Sequence, residues 1–289
     1  MILKEIFVIC RIMFLAVLSG AVALLTSGCD DGGDSAEEKP RLVVEGSINS
    51  GGYPEVYLTM SAVASDEEGS VADNIVRWGV VRISDGEREV ILTGGPFSGV
   101  FPPYRFYNFE MMGVPGKTYT LSAEYKGEVV TSSVTMPAPT PIASVRTEPV
   151  DGSENLRNLI LSFVAPSDVP AYYHVSVKRS GVDRRFYPAM LGAIAVRQAG
   201  AGVEMPVYRA RRSLSDEPFV PQFEVGDHVI VMLERVSPEV FDFWRAFDNA
   251  SLTDGSVFIS SAVSLPGNIT GGYGVWSAQG TSTATIEVK

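Results

Sequence analysis

The sequence predicts a mainly β protein: an N-terminal immunoglobulin-like or transthyretin-like sandwich, then a second β-rich domain with one amphipathic helix. Three observations carry that expectation. From Leu42 onward, apolar and β-branched residues recur in short runs with the two-residue period of half-buried strands. Turn residues such as Asp85-Gly86, Pro115-Gly116 and Lys126-Gly127 punctuate those runs. Only one stretch, after Ser237, changes to helical spacing.

Taken in order, the expected strands of the first domain, residues 41–136, are Leu42 to Ile48, Glu55 to Ala62, Val76 to Ser84 and Arg88 to Thr93. Tyr104 to Met111, Lys117 to Tyr125 and Glu128 to Met136 complete seven, the number of an immunoglobulin-like sandwich. Asp85-Gly86 supplies the positive φ of a hairpin, and Val114-Pro115-Gly116-Lys117 fits a type II turn. Gly116-Lys117-Thr118 is no phosphate loop, because Met111 stands where that motif needs glycine and a strand follows.

Pro137, Pro139 and Pro141 can neither continue a helix nor pair in a central strand, so 137–142 reads as a linker before the second domain, residues 143–289. That domain is expected to hold strands at Leu156 to Val164, Tyr172 to Arg179, His228 to Val236, Val257 to Ser264 and Thr281 to Val288. Residues 184–222 mix Gly, Pro and Arg with apolar residues and fit either a long excursion or irregular strands. Ser237 as cap, Pro238 in the first turn, Glu239 at the positive dipole end and the stripe Val240, Phe243, Trp244, Phe247 predict a helix near 238–248.

The amino terminus has the layout of a lipoprotein export signal. Lys4 and Arg11 precede the apolar run Ile12 to Leu25, and small residues Ser27 and Gly28 precede Cys29, so 1–28 is expected to be cleaved and the Cys29 thiol acylated. Thr26 departs from the pattern, which more often has Leu three places before the cysteine. Cys10 leaves with the signal, and the mature chain then has neither a disulfide nor a thiol ligand. Residues 29–40, with five acidic side chains and two glycines after Cys29, read as an acidic flexible tether. Loss of Lys4, Arg11 and Glu5 leaves 21 basic against 33 acidic residues, a balance that argues against nucleic acid and leaves anchoring to the lipid.

Candidate chemistry is sparse. His174 and His228 are the only histidines, and each reads more simply as a strand or turn residue than as half of a zinc site. Asp248, Asn249 and Asp254 gather oxygen ligands after the helix, but their spacing is not that of an EF-hand loop, so no metal is assigned. No Gly-x-Ser-x-Gly elbow and no catalytic cysteine occur, and no catalytic residue or cofactor is expected. Aromatic residues offer the candidate surfaces. Tyr104, Phe106, Tyr107 and Phe109 crowd the segment Phe101 to Phe109 and divide between both faces of a strand. Core packing takes one face and leaves the other for a small ligand, a peptide, a glycan or a neighbouring protein. Tyr273 and Trp276 fall in the glycine-rich run Asn268 to Trp276, where the glycines permit a close turn and Trp276 can plug the core.

Leu42-Val43-Val44-Glu45-Gly46, Gly116-Lys117-Thr118-Tyr119-x-Leu121, the proline linker, Tyr172-Tyr173 and Asn268 to Trp276 occur in an order that resembles the Bacteroidetes lipoproteins of domain of unknown function 4249. The resemblance runs from Arg41 to the C-terminus, with Trp276 where Phe is more usual. It implies a lipid-anchored outer-membrane protein of mostly β structure. Its implied partner is a TonB-dependent outer-membrane transporter, and no catalytic residue carries over. The acids after Cys29 resemble the surface-export signals of that group, and Asp34-Ser35-Ala36 its O-glycosylation motif at Ser35. The expected function is therefore that of a non-enzymatic accessory that captures a ligand for, or docks onto, such a transporter. The other readings are a structural or adhesive surface protein and a hydrolase with an unrecognised site.

Overall fold

In the computed structural model, residues 39–61, 71–210, 219–254 and 265–289 are described. The signal at 1–28, Cys29, Ser35, most of the tether and the expected strand Val257 to Ser264 lie outside them, as do residues 211–218 of the unassigned interval. Among the described residues no helix is long and apolar enough to cross a membrane.

The first half runs β1 (Leu42–Asn49), β2 (Glu55–Met60), β3 (Val80–Ser84), β4 (Glu89–Ile91), β5 (Thr93–Pro96), β6 (Tyr104–Tyr107), β7 (Thr118–Tyr125) and β8 (Glu128–Thr135). The second half runs β9 (Ile142–Val150), β10 (Ser153–Val164), β11 (Ala171–Arg179), β12 (Tyr187–Pro188), β13 (Ile194–Val196), β14 (Gly202–Val207), β15 (Phe223–Glu224), β16 (His228–Val236), α1 (Pro238–Asp254) and β17 (Tyr273–Glu287). The chain is mainly β, as expected.

Two small sheets, β4-β3-β7-β8 and one centred on β10 with β9, β14 and β15, each pack on part of a long sheet ordered β12-β11-β16-β17-β1-β2-β6-β5. In the first sandwich β1 buries Leu42, Val44 and Ile48 at alternate positions. They meet Val81, Ile83, Tyr119 and Leu121 from the facing sheet. In the second, Leu159, Leu161 and Phe163 of β10 meet Tyr173, Val175, Val229 and Val231. Helix α1 covers the other face of β11 and β16, with Val240 and Phe241 packed on Val236 and Val275. A strand covered on both faces loses its polar alternation, and β16 is buried almost throughout.

Several expectations shift. The proline segment separates two cores, but residues Pro40–Lys289 form one compact unit rather than domains divided at 137–142. The reason is β17, whose 15 residues replace the short strand expected at Thr281 to Val288. Its first half pairs in parallel with β1, Val43↔Tyr273 to Asn49↔Gln279, and its second half antiparallel with β16, Gly280↔Arg235 to Glu287↔His228. Trp276 and Ala278 thereby complete the first core, while Ile286 and Val288 pack with the second. Val76–Gly79 crosses between sheets instead of extending β3, Arg88 to Thr93 divides into β4 and β5, and β6 ends at Tyr107. Within 184–222 the chain makes the short strands β12, β13 and β14, and β9 begins at Ile142, the last linker residue. At Asp85-Gly86 only the glycine takes positive φ, the turn being closed by the Asp85 carboxylate on the Glu87 and Arg88 amides.

Candidate functional site

The site is built on the outer face of β1, β2, β6 and β5, away from the first core. Strand alternation in β6 sends Phe106 wholly into the core, with Tyr104 edge-on to it at 5.6 Å, and leaves Arg105 and Tyr107 outside. Room for these rings comes from Gly94 and Gly95: a Cβ at Gly94 would stand 2.6 Å from the Tyr104 hydroxyl, and one at Gly95 3.3 Å from the Tyr107 ring.

On the outer face, cations and rings alternate. The Arg105 guanidinium lies over Phe97 at 4.0 Å and Tyr107 at 5.0 Å, and pairs with the Glu55 carboxylate. Glu55 also accepts the Tyr57 hydroxyl. Tyr57 is only 4% exposed although it points away from the core, because Arg185, from the chain between β11 and β12, lies 4.7 Å above it. Arg185 also spans to Tyr187 at 5.2 Å, donates to Glu45 at 3.0 Å and to the Phe101 carbonyl at 3.4 Å. Burial pushes the Tyr57 hydroxyl pKa up, and the neighbouring Glu55 adds to it. Burial opposes the Arg185 charge, but Glu45 and Tyr57 more than offset this, so the guanidinium stays charged.

The row ends in an exposed aromatic group. Tyr107 and Phe109 are 5.2 Å apart, Phe109 and Tyr53 5.5 Å, and Phe109 is 65% exposed beside exposed Met112 and Val114. Backbone pairing of Ser50–Gly52 with Gly113 brings these loops together.

Of the six aromatic residues singled out from sequence, Tyr107 and Phe109 belong to this surface. Phe106 and Trp276 do not, and that expectation is corrected: both are core residues, and Trp276 is fully buried with its indole N–H donating to the Tyr119 carbonyl at 3.0 Å. Tyr104 is half-buried against the same core. Tyr273 is exposed, but at the opposite end of β1 from Tyr53, with Arg41 over its ring at 5.7 Å. Sequence reading missed Arg185 and Tyr187, which come from more than 120 positions beyond the strands they cover; the arginines of the unassigned interval were the one available signal.

A second polar cluster lies beneath α1. His174 Nδ1 is 2.6 Å from Glu234 Oε2, both side chains are buried, and the imidazole stacks on Trp244 at 4.4 Å. Asp248 accepts the Leu191 amide at 3.1 Å; burial raises its carboxyl pKa, with His174 pulling the other way. These contacts fasten the helix to the sheet. His228 opens β16, six positions before Glu234, so the two imidazoles do not converge. Asp248 is thus held by the backbone, and the Asp254 side chain lies outside the described residues. Among the described residues, no three of His, Cys, Asp and Glu gather as a metal site.

A cleft of about 230 Å³ sits at the start of α1 between Pro137, Pro170, Tyr172 and Pro238. Its one cation, Arg235, is paired with Asp168 at 2.5 Å.

A search of the curated proteins gives no match to this chain. The family model described as Domain of unknown function (DUF4249) matches residues 31–285, which takes in every described strand but the last residues of β17. The match spans most of the chain, which therefore belongs to DUF4249.

Proposed function

We propose that the chain is a lipid-anchored outer-membrane accessory without catalysis, held by Cys29 and docking onto a TonB-dependent transporter, or capturing ligand for one, through its outer aromatic face. The observation that carries this reading is the aromatic group Tyr53, Phe109 and Tyr107, packed edge-on and tilted, with Tyr53 and Phe109 exposed at the end of a row of paired cations and rings. Aromatic side chains with few rotatable bonds and arginines held in place are the residue types that dominate binding energy at protein interfaces. Tyr107 and Arg105 stand on β6, and the loops that carry Tyr53 and Phe109 are tied together by the pairing of Ser50–Gly52 with Gly113, so much of the geometry is set before a partner arrives.

Pull-down from detergent-solubilised membranes is the test. The native protein should co-purify a transporter barrel, and the pair Tyr53→Ser with Phe109→Asp, both at exposed positions, should reduce recovery at least about tenfold. No barrel with the native protein would refute docking. Labelled fatty acid should enter the wild type and be absent from Cys29→Ala; equal labelling removes the anchor from the reading.

A further inference from the structure

The first sandwich has a second exposed aromatic end, where the chain enters the fold at Arg41. Here β1 and β17 begin, β2 ends at Met60, and β7 passes into β8 through the Lys126-Gly127 turn. Thr270 exchanges two backbone hydrogen bonds with Thr131 at 2.8 and 3.1 Å, which places Tyr273 near Val129. The crossing at Val76–Gly79 brings Trp78 to the same end, since Val80 pairs with Glu124 one residue before Tyr125. Trp78 is 87% exposed, and Val129 and Tyr273 are also exposed. Arg77 and Lys126 are exposed beside them, Lys126 over the Tyr125 ring at 5.2 Å; the described acids at this end include Glu124, Glu128 and Asp73, two residues before the Ile75 bridge to Thr59.

We propose that this end of the first sandwich rests in the headgroup layer of the bilayer, with Trp78 and Tyr273 inserted at the interface. The inference rests on the anchoring at Cys29 and names what the anchored fold touches. Twelve positions separate Cys29 from Arg41, at most about 40 Å fully extended. From there β1 runs on from Arg41 for eight residues, about 26 Å, and the second half of β17 carries the second sandwich further in the same direction. The end bearing Trp78 is therefore the one that meets the lipid with the least extension of the tether. Trp and Tyr favour the interface because each ring is apolar with one polar atom, and Arg and Lys beside them bury their stems while the charge stays among headgroups. Arg41, Arg77 and Lys126 are offset by acids, so the contact depends on the rings more than on net charge.

Tryptophan fluorescence gives a direct readout, because the chain has three tryptophans, of which Trp276 is buried and Trp244 is stacked on His174. The difference spectrum between wild type and Trp78→Phe isolates Trp78. For the acylated protein in vesicles of phosphatidylethanolamine and phosphatidylcholine, it should shift to the blue. It should be lost when the phosphatidylcholine is brominated near the headgroup. An unchanged difference spectrum while the protein floats with the vesicles overturns the headgroup contact and leaves the anchor standing. Failure to float overturns both. A blue shift in native membrane vesicles that protein-free vesicles do not reproduce assigns Trp78 to a protein partner and also overturns it.

Discussion

Arg185 ties two distant parts of the chain with one side chain: its guanidinium covers Tyr57 and binds Glu45, 140 positions away in sequence. Glu45 is about half exposed, so solvent screens the ion pair and most of the gain comes from covering the rings. Arg185→Ala should therefore cost about 1–2 kcal/mol, and Arg185→Met less, since it keeps apolar cover over Tyr57. Thermal denaturation of both variants checks the order. Asp85 is a different case, because its carboxylate accepts the Glu87 and Arg88 amides and Lys117 at 3.0 Å. The Arg88 amide most of all, with Lys117 and the Glu87 amide, lowers its pKa to about 2 against the opposing effect of burial. A depressed carboxylate stabilises the fold in full above its unfolded pKa and loses that contribution as pH falls through the folded value. Stability should thus drop between about pH 4 and pH 2. Asp85→Asn should flatten that part of the curve in acid denaturation.

At the scale of elements, β17 holds the fold's least obvious contacts. Before it pairs fully with its neighbours, its backbone is bound by one side chain: Asn268 accepts the Trp276 amide at 2.9 Å and donates to the Trp276 carbonyl at 2.7 Å. Gly274, at a φ of +100°, passes so near the Val44 carbonyl that any Cβ would collide with it. Asn268→Ala leaves both Trp276 groups without these partners and should cost about 1–3 kcal/mol, read as a lowered denaturation midpoint with unchanged slope. These elements also show what a sequence displays. The alternation of Leu42, Val44 and Ile48, the Lys126-Gly127 turn and the stripe of α1 are local patterns, and each led to an observed element. β9 was invisible because Arg146, Thr147 and Glu148 interrupt any alternation on an edge strand whose residues are mostly solvated. The candidate surface was half legible: five aromatics in nine residues announce a site, but which ones face outward depends on where β6 ends. Arg185 could not be foreseen, since its partners are set by tertiary packing.

At the scale of the molecule, one strand serves two cores, and this sets how the protein unfolds. The proline linker marks a break in local sequence, yet β17 overrides it, pairing Tyr273 with Val43 across 230 positions at one end and Ile286 with Val229 of the second half at the other. Neither half is closed without β17. A fragment of residues 41–136 would lack the parallel partner of β1, leaving its backbone donors and acceptors at a long apolar edge. It would also lack Trp276, whose side chain is completely buried in that core; the hole left by such a ring costs about 3–5 kcal/mol, a large share of the roughly 5–15 kcal/mol by which a domain is stable. The fragment should therefore be poorly folded alone, with weak near-ultraviolet dichroism and fast amide exchange in β1. Residues 40–289 should unfold in one transition by both tryptophan fluorescence and far-ultraviolet dichroism. Two separated transitions, or a fragment with native exchange protection, would show that the lobes hold themselves up and that β17 only joins them. A peptide of residues 266–289 added to the fragment distinguishes the cause: if the missing strand is the defect, protection in β1 should return with peptide concentration, and a Trp276→Ala peptide should restore much less.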